Sequence, residues 1–168
     1  MKKKALFIGR FQPFHNGHFL FLESILDSYD EVIIGIGSSQ YSNTWDNPFS
    51  YYERKLMIEK SLDELNFNNF SIVGISDIHN PPRWVDHVVS IVSDFDVVLT
   101  NNSFTRDLFL EKGYSVLNTS LIKRDIYSGK NIRNMMVKGK PWEDLVPKSV
   151  VKIIIDIDGV KRVKSLSQ

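Results

Sequence analysis

Short apolar runs rich in β-branched residues alternate with longer amphipathic stretches along most of this chain, and that alternation leaves few folds open. Ala5–Ile8, Val32–Ile36, Phe70–Ile75, Phe95–Leu99 and Tyr114–Leu117 predict five strands. Between them the spacing predicts helices over Gly17–Tyr29, with Leu20, Leu22, Ile25 and Leu26 facing inward, and over Tyr51–Leu65, introduced by Asn47-Pro48 and Ser50. A third opens at Pro81-Pro82 and runs to about Val92, since proline is tolerated in a first helical turn. Two more span Phe104–Lys112 and Ser128–Lys138, each followed by a glycine suited to end a helix. Strands apolar on both faces, alternating with helices, predict an α/β fold: a Rossmann-like doubly wound parallel sheet in α/β/α layers. Near the end, Val150–Ile155 has strand composition, but Pro147 precedes it as at a helix start, so a helix from about Lys148 is expected. The 168 residues fit one domain over 1–168, with about 140–168 as a helical appendage.

Composition narrows the function classes. The formal net charge is +1, so no global field draws the chain to nucleic acid or membrane, and any anion site has to be local. Without cysteine there is no disulfide framework, thiolate nucleophile or cysteine-ligated zinc. Lys2 to Lys4 followed by Ala5–Ile8 resembles the charged end of a signal peptide, but the apolar run stops at Gly9 after four residues. No run approaches the roughly 18 apolar residues of a membrane helix. A soluble, cytoplasmic protein is expected, with neither nucleic acid nor membrane as partner.

Ligands of doubly wound sheets bind beyond the carboxyl ends of the strands, at the topological switch point. The decapeptide GRFQPFHNGH, residues 9–18, lies just after the first strand. With His18 in the first turn of the following helix and His15 at its entrance, two imidazoles join the free N–H groups of a helix N-terminus. Gly17 permits close backbone approach, and Gly9 and Arg10 face the same space from the strand end. The pattern reads as an anion site built from donors. A buried core histidine and a metal pair are the competing readings, and a metal pair would want carboxylates, which the stretch lacks.

HxGH after a first strand resembles the nucleotidylyltransferase superfamily. The longer form, Gly9-Arg10-Phe11-Gln12-Pro13-Phe14-His15-Asn16-Gly17-His18, is similar to the archaeal-type nicotinamide mononucleotide adenylyltransferases. Cytidylyltransferases and phosphopantetheine adenylyltransferases usually open with Gly-Thr/Ser-Phe-Asp instead. A second superfamily signature is matched by Tyr127-Ser128-Gly129-Lys130-Asn131-Ile132-Arg133, with Ser128 as helix cap and Lys130 where relatives usually carry threonine. The resemblance implies ATP contacts at Gly9, Arg10, Phe11, His15, Gly17, His18, Asn101, Arg124, Ser128, Ile132 and Arg133. Of these, His15, His18, Arg10 and Arg133 are expected to carry catalysis.

The other strand ends add the acceptor side. Gly35-Ile36-Gly37-Ser38-Ser39-Gln40 lacks the third glycine of a dinucleotide fingerprint, so a Rossmann NAD site is a poor reading. The resemblance implies that Ser38 and Ser39 bind the mononucleotide. In Asn80-Pro81-Pro82-Arg83-Trp84 the tryptophan can stack on a cationic pyridinium ring and the Asn80 amide can read a carboxamide; the plain alternative is Trp84 as a core anchor. Asn101 stands where relatives often have glycine, and Ser103 could simply cap the next helix. Arg54 either faces the phosphates or pairs with Glu53. The reaction implied is attack by the 5′-phosphate of nicotinamide mononucleotide on the α-phosphorus of ATP, giving NAD and pyrophosphate. Mg²⁺ is expected, bound mainly through the phosphates, and association of several copies is implied by the family alone. Another phosphorylated acceptor, such as flavin mononucleotide, phosphopantetheine or nicotinate mononucleotide, and a nucleotide-binding regulator without turnover stay open.

Overall fold

A computed structural model describes residues 3–119 and 123–168. The strands are β1 (Lys4–Gly9), β2 (Glu31–Ile36), β3 (Phe70–Gly74), β4 (Val97–Thr100) and β5 (Val116–Asn118). They form one sheet in the order β3-β2-β1-β4-β5. Every pairing is parallel, with Ala5 beside Val32 on one side and Val97 on the other. The chain therefore reverses its winding between β1 and β4, and the segments after those two strands flank the switch point.

Alternation along the strands feeds two cores. Ala5, Phe7, Val32, Ile34, Ile36, Val97 and Leu99 point to one face. There they meet α1 (Asn16–Ile25), α2 (Tyr51–Asp63), α5 (Gly129–Val137), α6 (Lys148–Asp156) and α7 (Gly159–Leu166). Leu6, Ile8, Ile33 and Val98 point to the other face and meet α3 (Pro81–Ile91) and α4 (Ser103–Glu111). The expected α/β/α layering is what forms, and the tail is helical from Lys148, as Pro147 predicted. It breaks at Asp158, which holds a left-handed φ of 54°. α6 packs on α2 and α7 on α5, so the tail lies over the same face as the first helix.

Some boundaries shift. α1 stops at Ile25, and Leu26–Ser28 continue as a 3-10 turn. Its inward stripe is Phe19, Phe21, Leu22 and Ile25; Leu20 and Leu26 are only half-buried and join neither core. Leu26 is lost because the tighter turn rotates it off the α-helical face. Phe95 and Tyr114, expected to open β4 and β5, lie outside both strands and stack on each other at 5.5 Å beside Phe109. Aromatic packing under the sheet edge has replaced strand pairing there. Among the described residues no helix is long and apolar enough to cross a membrane.

Candidate active site

The decapeptide folds as a turn whose every tie can be traced to a residue type. His15 takes the N-cap of α1, and its Nδ1 accepts from the backbone N–H of Gly17 (3.1 Å) and His18 (3.4 Å). In return the His15 N–H donates to Nδ1 of His18 at 3.2 Å. Both Nδ1 atoms are thus acceptors, which leaves the proton of each neutral ring on Nε2. The expectation of free helix N–H groups aimed at a ligand is corrected here: the capping imidazole consumes two of them.

The two rings stack 3.6 Å apart, and Phe14 and Phe11 close around His18 with centroids at 5.4 and 4.8 Å. Burial in this aromatic nest pushes His15 down to about 3. Burial, reinforced by His15, holds His18 well below the ordinary histidine value. At neutral pH the pair are therefore uncharged Nε2–H donors.

Positive charge comes from three arginines. Arg133, on α5, is buried, and its Nη1 donates to the Gln12 carbonyl at 2.8 Å. Its guanidinium lies 5.4 Å from the Trp45 ring centroid and 3.9 Å from the exposed carboxylate of Asp46. Its Nε is buried without a hydrogen-bond partner. Burial and then the nearby Arg10 bring its pKa down from the usual arginine value. Gln12 binds the Phe49 backbone in both directions, at 3.0 and 2.9 Å, so one side chain ties the β1 turn to the loop before α2.

Arg54 does neither of the things expected of it. It is fully buried and donates to the carbonyls of Arg10 (2.9 Å), Gly37 (2.8 Å), Ser38 (3.2 Å) and Ser50 (3.2 Å). It faces backbone rather than phosphate, and it clasps the turns after β1 and β2 together. Burial and repulsion from Arg10 bring it down to about 10. Glu53 pairs instead with Arg162 of α7, at 2.7 and 2.9 Å.

A cavity of ≈ 400 Å³ opens beyond the carboxyl ends of β1 to β4. Gly9, Arg10 and His18 form its centre; Gly37, Ser38 and the segment Asp77–Pro81 with Trp84 form one arm; Thr100–Asn102 with Phe104 and Thr105 form the other.

Residues 6–135 match the family described as cytidylyltransferase-like. The chain is 47% identical to the nicotinamide-nucleotide adenylyltransferase of Picrophilus torridus, covering 98% of both chains. It is 45% identical to the protein of the same name from Thermoplasma acidophilum, over 99% of this chain and 93% of that one. The chain belongs to the nicotinamide-nucleotide adenylyltransferases, within the cytidylyltransferase-like family. Its fold matches a bifunctional NMN adenylyltransferase/ADP ribose pyrophosphatase from Francisella tularensis complexed with AMP and manganese. That match has a TM-score of 0.77 at 23% identity, covers 99% of this chain, and spans about half (52%) of the larger protein.

In this member of the adenylyltransferases, Gly9, Arg10, His18, Ser38, Asn80, Trp84 and Asn101 line one cavity. His15 and Gly17 are buried immediately behind His18. Phe11 and Ile132 are in the core, so neither side chain reaches a ligand. Ser39 is half-buried against Gly74, off the cavity wall. Arg124 is exposed in the turn before α5. Ser128 caps α5 through Asn131 at 3.2 Å, as expected. Asn102, not Ser103, caps α4. Trp84 is half-buried, meeting Phe109 edge-on at 5.9 Å and lining the cavity. Asn80 holds the cap position of α3 but makes no capping bond, which leaves its amide unspent there.

The sequence singled out the stretch holding Asn102 and Phe104 after β4 but gave no role to Asp77 or Thr100; Thr100 ends β4 and Asp77 lies just past β3, and that position was the signal available. Sequence reading also passed over Trp45 and Asp46, whose neighbourhood to Arg133 exists only once α5 is docked.

Proposed function

We propose that the chain transfers the adenylyl group of ATP to nicotinamide mononucleotide, forming NAD and releasing pyrophosphate. The observation that carries this reading is the central turn: neutral Nε2–H donors beside the Arg10 guanidinium, beyond the carboxyl end of β1. Names of the archaeal relatives at 44–47% identity over nearly the whole chain support it.

A 5′-phosphate oxygen of the mononucleotide attacks the α-phosphorus of ATP in line, and the bond to the β-phosphate oxygen breaks. No protein nucleophile is needed. The chain's contribution is to hold the groups in line and to stabilise the charge that develops on the departing pyrophosphate. His18 and Arg10 donate from the cavity centre. Arg133 lies behind the cavity wall and adds positive charge while it holds the turn through the Gln12 carbonyl, and His15 fixes the tautomer and plane of His18. Asn101 and its neighbours form the ATP arm; Ser38, Asn80 and Trp84 form the acceptor arm. Among the described residues no group of three or more His, Cys, Asp or Glu could hold a metal ion. A magnesium ion would arrive on the triphosphate and offset its charge.

The test is pyrophosphate release by purified protein with ATP and each mononucleotide. His18→Ala is expected to lower kcat by about 100–1,000-fold, the effect of removing one donor aimed at developing charge. Full turnover by that variant, or no turnover by the parent with any pyridine mononucleotide, overturns the reading.

A further inference from the structure

Asp77 is the one acidic residue among those that line the cavity. Both substrates assigned to this cavity carry phosphate, so a carboxylate in its wall is unfavourable wherever phosphate lies. It is tolerable only opposite a cationic or hydrogen-bond-donating part of a ligand. Asp77 sits on the acceptor arm, three residues before Asn80 and seven before Trp84, away from the central donors in sequence and on a different strand end.

It is also held in place. The Ser38 hydroxyl donates to Asp77 Oδ2 at 2.7 Å. The Gln40 amide binds the Asp77 backbone on both sides, donating to its carbonyl at 2.8 Å and accepting from its N–H at 3.0 Å. Tyr41 and His79 meet at 2.7 Å one step further along. The segments after β2 and β3 are thus latched together by four contacts, and Ser38 and His79 both adopt left-handed backbone, with φ of 49° and 50°. Ser38 engages only one carboxylate oxygen, so Oδ1 keeps its acceptor capacity for a ligand.

We propose that Asp77 is a specificity-determining residue that makes the site select the amide over the acid form of the pyridine mononucleotide. The inference rests on the acceptor reading above. A carboxamide NH₂ has two donors for Oδ1, and the pyridinium charge is attracted to the same group. A nicotinate carboxylate places a second negative charge against it. At about 4 Å and an effective dielectric constant between those of water and a protein surface, that repulsion corresponds to roughly tenfold to several hundredfold in acceptor preference.

The experiment measures kcat/KM for nicotinamide and nicotinate mononucleotide with ATP, and dissociation constants for both by calorimetry, in the parent and in Asp77→Asn. Asparagine keeps an acceptor for Ser38 and removes the charge. The parent is expected to favour the amide by at least about tenfold, and Asp77→Asn to narrow that ratio about tenfold or more, chiefly by improved use of the acid. Asp77→Ser serves the same comparison if the asparagine variant does not fold. Equal use of both acceptors by the parent overturns the inference. So does a variant that weakens both alike, the result expected if Asp77 binds ribose hydroxyls or acts only on the fold. Turnover of neither acceptor by the parent instead removes the function reading, and this inference with it.

Discussion

Replacing Arg54 with methionine tests how the central turn is held. The substitution keeps the apolar stem and removes the guanidinium. Four carbonyls lose a donor, but Ser50 still accepts from the Arg54 N–H at 3.0 Å and Ser38 from the Tyr41 N–H at 3.1 Å. The carbonyls of Arg10 and Gly37 are the ones that lose a charged partner; that of Gly37 has no other protein donor among the described bonds. Leaving a buried acceptor unpaired costs about 1–3 kcal/mol, and these two are part-buried, so roughly 2–6 kcal/mol is the upper bound for the pair. Relief of the guanidinium's own burial and of its repulsion with Arg10 works against this and puts the expectation in the lower half of that range. For a chain of this size that is a fall in Tm of roughly 5–12 °C. Because the freed carbonyls belong to the turns carrying Arg10 and Ser38, kcat should fall as well. Thermal unfolding and turnover measured on the same preparation decide the matter. Lost turnover at unchanged Tm would mean that Arg54 is a phosphate ligand after all, and unchanged values of both would refute the clasp.

Two further outcomes are expected. Stability should decline as the pH is lowered from about 6.5 towards 3. His15 is held at about 3 in the fold, so over that window the unfolded chain binds the extra proton. The slope this one group adds is about 1.4 kcal/mol per pH unit. Urea titrations at several pH values should show it, and His15→Asn, which retains a capping acceptor, should flatten it; a parent curve already flat there contradicts the buried neutral histidine. Gly129→Ala should destabilise by about 1–3 kcal/mol despite alanine's better helix propensity. A Cβ there would stand 2.7 Å from the Gln12 carbonyl and 3.0 Å from Arg133 Nη1. A loss of the Arg133 contact, seen as reduced turnover in the same variant, would accompany it, whereas a stabilised and fully active variant would refute the close approach.

The chain order of strands and helices was legible because each is set by local patterning: a short unbroken apolar run for Ala5 to Ile8, a 3.6-residue period for the stretch around Leu22. The decapeptide was legible as an anion site because its residue types serve no packing or turn need in that combination. Short-range patterning also predicted the caps at Ser50 and Ser128, since a cap is a contact over three residues. What local patterning could not give is any role settled by partners far along the chain. Arg54 reads as a surface or phosphate-facing arginine until the turns after β1 and β2 bring the carbonyls of Arg10 and Gly37 around it. Asp77 is an ordinary loop aspartate until Ser38, 39 residues earlier, is seen to hold it. Helix N–H groups counted as free donors turn out to be filled by the ring of His15. By itself the sequence determined the layered α/β fold and singled out the turn proposed to hold the phosphates, because apolar patterning and residue chemistry act over a few positions. The tertiary structure alone decided which charged groups face ligand and which face backbone, because burial and hydrogen-bond satisfaction depend on where every other strand end lies.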